Sequence, residues 1–394
     1  MGFLAKAYLL TNKIQRYEWG ERGPGAFLAK FLAMPDVPEN TPLAELWMGT
    51  HPLGTSELKY GANPALLSDL VQRYPVEILG QRVMAAFVSQ FPFLLKILSA
   101  NEPLSIQLHP SKDQAVALRH RDPAHYPDAN HKPEIAIALE SLQALAGLRA
   151  HRQIFALMEA YPALADFVEF DTFAEQPKSK QPKLAFQALL SKAITEPGNM
   201  AQVIELVAVE IRAKDRLSYR DRLFLDMKEK YPGDVGLLSI LFLKLHSLGK
   251  GQAMFIPAGV PHAYLKGNIV ECMASSDNVI RGGLTPKFKD IPALINIVTD
   301  QSVMIFTPDG PDYTYDAPVS EFRIRRLVLT TGQQLAERSD SVRILLILSG
   351  RLRLSWPGDA LEVSRGQSVL LPASLSEVNI ECLEDGEVYK ADVP

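Results

Sequence analysis

The chain has 394 residues, with 41 Lys and Arg against 45 Asp and Glu, a net charge of −4. That balance lacks the basic excess that marks nucleic-acid binders and proteins drawn to anionic membranes, so neither partner is expected. The length suits two or three domains of ordinary size, and two cysteines, Cys272 and Cys382, are too few for a disulfide framework, which fits a reducing, cytoplasmic setting.

Met1 to Thr11 reads as a first strand, an apolar patch interrupted by Lys6 with no small-residue cleavage site after it. Up to residue 150 the text is punctuated by Pro and Gly between short apolar runs such as Phe91–Leu98 and Ile135–Leu139, which predicts a mainly β region with some helix. The tract 151–235 changes character. Ile204, Val207, Ala208 and Ile211 fall at helical spacing, and charge crowds Arg212 to Lys230, which predicts a helical insert. The apolar run Leu237–Leu243 stops at Lys244 and His246, too short to span a bilayer. Strand-like text resumes over 236–300, at Ala253–Ile256 and Ile269–Met273. A last β region, 301–394, carries Arg343–Leu348, Leu352–Trp356, Ser368–Leu371 and Val378–Cys382.

Two distant segments align without gaps: Gly251–Ala258 (GQAMFIPA) and Gly366–Ala373 (GQSVLLPA). Each has a Gly turn, a short apolar strand and a Pro stop, the grammar of one hairpin in a cupin-type jelly roll, so two cupin-like units are expected. Five residues past Pro257 stands His262, whereas five past Pro372 stands Glu377, and no histidine follows His262. The second copy is therefore expected to hold no metal.

In Ser105-Ile106-Gln107-Leu108-His109 a strand would put Gln107 and His109 on one face, because side chains alternate with period two. Glu134 stands just ahead of the apolar run Ile135–Leu139, where a strand would enter a barrel, and Pro261-His262 adds a second imidazole. Two imidazoles, a carboxylate and an amide oxygen suit Zn²⁺ or another first-row divalent ion with a position left open. His120, His125, His151 and His246 sit among charges or on helical text and receive no role.

These segments resemble, in order and along nearly the whole chain, the type I mannose-6-phosphate isomerase (phosphomannose isomerase) family. The matching text is Gln15–Gly20 (QRYEWG), Pro42–Pro52 (PLAELWMGTHP), Phe91–Lys96 (FPFLLK), Pro103–Pro110 (PLSIQLHP), Asn130–Glu134 (NHKPE), Pro261–Tyr264 (PHAY) and Ser276–Lys287 (SDNVIRGGLTPK). The match fades across the helical insert and after Asp290. Ala146, where the family often has Cys, and Gly283 depart from the pattern, and neither is expected to touch a ligand.

The resemblance implies one zinc per chain, held by Gln107, His109, Glu134 and His262. It also implies a jelly-roll catalytic domain interrupted by a helical domain, with a second, metal-free β domain at the C-terminus. The reaction it implies interconverts mannose 6-phosphate and fructose 6-phosphate through a cis-enediol, which needs a Lewis acid near the sugar oxygens and a group that moves a proton. Lys132, two residues before a ligand, is the first candidate for proton transfer, and Arg281 is a fork donor suited to an enediolate. Lys96, Ser105 and Lys287 belong to motif segments and are candidates for the phosphate. Glu271 is read as a hydroxyl acceptor or proton-transfer partner, against burial with a lysine. Trp19, Trp47 and Tyr264 are read as wall and core.

Two rivals remain at this point. One is a different metal-dependent cupin enzyme, since His109, Glu134 and His262 alone match a two-His, one-carboxylate set, although Gln107 argues against it. The other is a non-catalytic sugar-phosphate-binding cupin, against which the full ligand set with Lys132 and Arg281 argues. With no heptad seam, a monomer is expected.

Overall fold

The computed structural model describes residues 2–60 and 63–394; Met1, at the head of the expected first strand, lies outside them. Two large antiparallel sheets dominate, each of ten strands among the described residues. The first runs, in spatial order, through Met304–Phe306, Ala253–Ile256, Glu134–Leu148, His262–Ala274, Phe93–Ala100, Glu45–Met48 and Lys13–Gln15. Ile106–Leu108 and Ile280–Gly283 extend it from His262–Ala274, and Leu243–Gly249 pairs with Glu134–Leu148. The second sheet is built mostly from residues after 311, with Glu377–Asp392 and Arg343–Trp356 at its centre.

The sheets cut across the sequence ranges at both ends. Tyr8–Thr11 pairs with Ser368–Leu371 in the second sheet, and Met304–Phe306 pairs with Ala253–Ile256 in the first. In each case a remote segment covers an edge whose backbone N–H and C=O groups would otherwise stay unpaired.

The two faces of the first sheet have different work. Ile135, Ile137, Leu95, Ile97, Val270 and Cys272 point one way and join Ile344, Leu346, Leu370, Tyr389 and Ala391 of the second sheet in one buried cluster. The opposite face carries Ala136, Ala138, Ala144 and Ala146 with Leu98, Met254, Ile269 and Tyr264. Both faces are covered, which is why all eight residues of Phe93–Ala100 are buried and the text reads as a mainly apolar run interrupted by Lys96 and Ser99.

Helices run from His151–Ala160 through Val235–Phe242, the last with all eight residues buried. Proline stands in the first turn of Pro162–Phe167, Gln181–Thr195 and Pro197–Arg212, where its missing N–H costs nothing. Ser218 and Asp221 form a capping box at the start of Tyr219–Lys230. Ile204, Val207, Ala208 and Ile211 are buried together, as their spacing predicts. They share a core with Ile106, Leu108, Ala263, Leu265 and Ile280, so the insert presses on the end of the first sheet. No helix among the described residues is long and apolar enough to cross a membrane.

The gapless sequence match is realised as the same turn twice. Gly251 and Gly366 both have positive φ, 80° and 87°. In one copy Gln252 accepts the Gly249 N–H at 2.8 Å, and in the other Gln367 accepts the Ser364 N–H at 2.7 Å. The four residues that follow are buried strands in both cases. The copies differ around the glycine: a Cβ on Gly251 would meet nothing closer than 3.6 Å, while one on Gly366 would lie 2.6 Å from the Phe31 carbonyl oxygen. Gly251→Ala should therefore cost about 1–2 kcal/mol for the left-handed backbone, and Gly366→Ala clearly more; thermal unfolding midpoints of the two variants, ranked against the parent, check the order.

Candidate active site

Glu134 opens its strand with no exposed surface and stands between two imidazoles. His109 Nε2 lies 3.2 Å from its Oε2 and His262 Nε2 lies 3.0 Å from its Oε1. The other nitrogen of each ring is taken by a backbone carbonyl: His109 Nδ1 donates to Asn278 O at 2.9 Å, and His262 Nδ1 donates to Val260 O at 2.9 Å. A carbonyl only accepts, so in the neutral rings the proton sits on Nδ1 and the Nε2 lone pair faces Glu134. Burial, then the charge of Lys132, draws the His109 pKa down to about 4, so its imidazole is neutral at pH 7. Burial alone would raise the Glu134 carboxyl; the charge of Lys132 outweighs that and holds it well below the usual range.

Ion-pair separations here hide a mismatch, because acceptors face acceptors. His109 Nε2, His262 Nε2 and Glu134 Oε2 are buried without a hydrogen-bond partner. One ligand atom from each of the three residues falls within 4.8 Å of the others. Three dry acceptors converging on one point are costly unless a cation sits among them, and imidazole with carboxylate is the donor set of first-row divalent ions.

The sheet register delivers the remaining groups. Gln107 is paired with His262 and with Arg281, so these three side chains share a face, while Ile106 and Leu108 point into the insert core. Ser105 Oγ lies 3.5 Å from Gln107 Oε1. Lys132, buried, places Nζ 3.4 Å from Glu134 Oε2. Tyr264 donates its hydroxyl to Glu134 Oε1 at 3.1 Å, and burial with the nearby Glu134 charge raises its pKa well above the usual phenol, so it remains a donor. Read from sequence as wall and core, Tyr264 thus has a polar task as well. Ala146 corrects the sequence reading: it is the strand partner of His262, so that departure borders a ligand.

Along the same inner face, Lys96 is paired across strands with Glu271 and Trp47. Its Nζ lies 2.8 Å from Glu271 and 3.5 Å from Glu45, and Glu45 also accepts the Trp47 indole N–H at 2.5 Å. This is no surface ion pair, since Lys96 is 6% exposed. Burial works against its charge, and the two carboxylates more than reverse the effect, so Lys96 stays protonated. The burial with a lysine that competed for Glu271 is what the geometry contains.

Arg281 and Lys287 differ from Lys96: among the described residues neither has a carboxylate within ion-pair distance. Burial lowers the pKa of both, and for Lys287 the charge of Arg281 lowers it further. Lys287 Nζ stands 5.6 Å over the Tyr17 ring, and Tyr17 also senses Arg281.

Several contributors were passed over in the sequence. His51, 3% exposed, pairs with Asp277 at 2.8 Å and meets Trp47 edge-on. Asn278, fully buried, supplies the carbonyl that orients His109, and its amide donates to Asp128 O and Asn130 O at 2.9 and 2.8 Å. His51, Asp277 and Asn278 lie inside the quoted motif text. Asp128 does not, and only its place in an Asp-Ala-Asn turn before His131 hinted at it.

A two-sheet, cupin-like protein with interspersed helices and a buried histidine–glutamate metal site is the class these observations define. A family profile described as "Phosphomannose isomerase type I, catalytic domain" matches residues 8–151. Mannose-6-phosphate isomerase of Macaca fascicularis is 36% identical over 89% of each chain, and that of Schizosaccharomyces pombe 34% identical over 98% of this chain and 99% of its own. Among solved structures, a variant of phosphomannose isomerase from Salmonella typhimurium superposes with a TM-score of 0.86 at 29% identity, covering 99% of this chain and 100% of that one. A mannose 6-phosphate isomerase bound with zinc and yttrium superposes with a TM-score of 0.84, again at 29% identity, over 98% of this chain and 99% of that one. The chain belongs to the type I phosphomannose isomerase family.

Removing the Tyr264 hydroxyl tests the metal reading without touching a ligand. Tyr264→Phe should weaken divalent-ion affinity about 10–100-fold, as loss of a ligand's hydrogen-bond partner does; competition with a chromophoric chelator measures it, and circular dichroism should show the fold intact.

Proposed function

We propose that the protein interconverts mannose 6-phosphate and fructose 6-phosphate at a single zinc site. The observation that carries this is the pairing of three dry polar atoms without hydrogen-bond partners with two cations, half-buried Arg281 and exposed Lys287, that lack carboxylate partners among the described residues. One feature asks for a divalent cation and the other for an anion, and a metal-assisted reaction on a sugar phosphate needs both.

Gln107, His109, Glu134 and His262 would hold the zinc. When bound, it supplies Lewis acidity that stabilises negative charge developing on the sugar oxygens. Asn278 and Val260 keep both imidazoles in the Nδ1–H tautomer. Lys132 is the group assigned to move the proton between C2 and C1, from a side chain buried at the edge of the metal cluster. Arg281 steadies the enediolate, and its guanidinium, which does not deprotonate at working pH, also faces the anion. Lys287 and Ser105 are assigned to the phosphate end. Lys96, first assigned there too, is better placed as a fixed charge for hydroxyls because Glu271 and Glu45 already offset it. Glu271 then accepts from a sugar hydroxyl beside the Lys96 charge.

The same reading covers the architecture. Residues 1–150 and 236–300 form a jelly-roll catalytic domain, 151–235 an inserted helical domain, and 301–394 a second, metal-free cupin-like domain. In that last domain Glu377, at the position matching His262, is exposed and paired with Arg338 at 3.0 Å. A monomer in the cytoplasm, with a small sugar phosphate as its partner, completes the assignment.

Purified protein should convert mannose 6-phosphate to fructose 6-phosphate, lose activity on chelation and recover it with Zn²⁺; a folded, zinc-loaded protein without turnover would overturn the proposal. Arg281→Ala should lower kcat/KM about 10–100-fold, the worth of one or two kcal/mol or a little more in a charge-assisted hydrogen bond, with zinc content unchanged; steady-state kinetics and metal analysis check both.

A further inference from the structure

The segment Asp128–Glu134 carries both Lys132 and a cluster ligand, and it is tied down on two sides. Toward the first sheet, Asp128 accepts from Ser276 Oγ at 2.9 Å and from Asp277 N at 2.8 Å, and Asn130 Nδ2 donates to Ser275 O at 3.0 Å. The other tie comes from far along the chain. His131 Nε2 stands 2.6 Å from Glu321 Oε1, across 190 residues of sequence.

Glu321 is suited to act as a fixed post. Its side chain is 5% exposed, and its second oxygen accepts from Ser320 N and Ser320 Oγ, both at 3.2 Å. The next residue, Phe322, is buried in the cluster that joins the two sheets, so the backbone beneath the carboxylate is anchored in packed core. Burial would raise the Glu321 carboxyl, and the hydrogen bond from His131 outweighs it and keeps the acid ionised. On the other side of His131, Lys132 is followed by Pro133, whose ring removes backbone freedom just before Glu134. A rotation about the His131 backbone would therefore swing the Lys132 side chain, while Glu134 stays locked in the strand.

We infer that Glu321 is a positioning residue for the isomerisation: by clamping His131 from the C-terminal part of the chain, it holds the Lys132 amine in register with the metal cluster. The inference rests on the assignment of Lys132 to proton transfer. It gives the segment that leads into the second sheet's Arg323–Leu329 strand a part in turnover through His131.

The test is a double-mutant cycle on the zinc-loaded enzyme with mannose 6-phosphate, comparing Glu321→Ala, Lys132→Ala and both together. Glu321→Ala should lower kcat about tenfold, the equivalent of roughly 1.4 kcal/mol, with KM within about twofold, zinc content unaltered and the thermal midpoint nearly kept. Glu321→Gln, which still accepts from an imidazole N–H, should recover most of the loss. In the Lys132→Ala background the Glu321 substitution should add almost nothing. Unchanged kcat in Glu321→Ala, or a loss fully additive with that of Lys132→Ala, overturns the inference while leaving Lys132 in place. Parental turnover in Lys132→Ala alone overturns the assignment of Lys132 and the inference with it. Should Glu321→Ala not fold, His131→Asn, which breaks the same tie from the other side, carries the cycle in its place.

Discussion

At Glu134 a carboxylate meets two imidazoles whose Nδ1 atoms are turned away to backbone carbonyls, in a place water does not reach. Left alone, that contact would be among the least favourable in the protein, because each group has lost its hydration and none can donate to another. Its neighbours are arranged around the deficit. Tyr264 donates to one carboxylate oxygen and Lys132 sets a positive charge beside the other. The carbonyls of Asn278 and Val260 hold the ring protons on the far side of each imidazole. What is left is a point to which only lone pairs are directed, and a divalent cation is the species that satisfies it.

Such a point can be kept open because the sheet around it is rigid on its other side. The outer face of the first sheet is glued to the second sheet by aliphatic side chains, and the helical insert packs against Ile106 and Leu108, fixing the short strand that turns Gln107 inward. The inner face is kept low by alanines on Glu134–Leu148. Dense packing on the outer face fixes the register on which the metal cluster depends.

Charge around the site is sorted by pairing. Lys96 is neutralised by Glu271 and Glu45, and so forms a fixed polar wall; half-buried Arg281 and exposed Lys287 have no such carboxylate partner among the described residues. Residue type alone does not separate these cations. Neighbouring strands supply carboxylates to Lys96, and the strand and turn around Arg281 and Lys287 supply none within reach.

The four groups proposed for the metal stood out in the sequence because alternation, a Pro-flanked histidine and a carboxylate at the head of an apolar run are local signals. The helical insert and the repeated Gly–Gln turn were legible for the same reason, each being specified within a few residues. The partners of Lys96, the role of Tyr264, the carbonyls behind the imidazoles and the reach of Glu321 to His131 were not legible. So the sequence by itself determined the family, the helical text after residue 150 and the His109, Glu134 and His262 cluster; the tertiary structure decided which cations are already paired, where the sheet edges close and what holds the His131–Lys132 segment, since those depend on strand register and on contacts between residues far apart in the chain, where no local pattern records them.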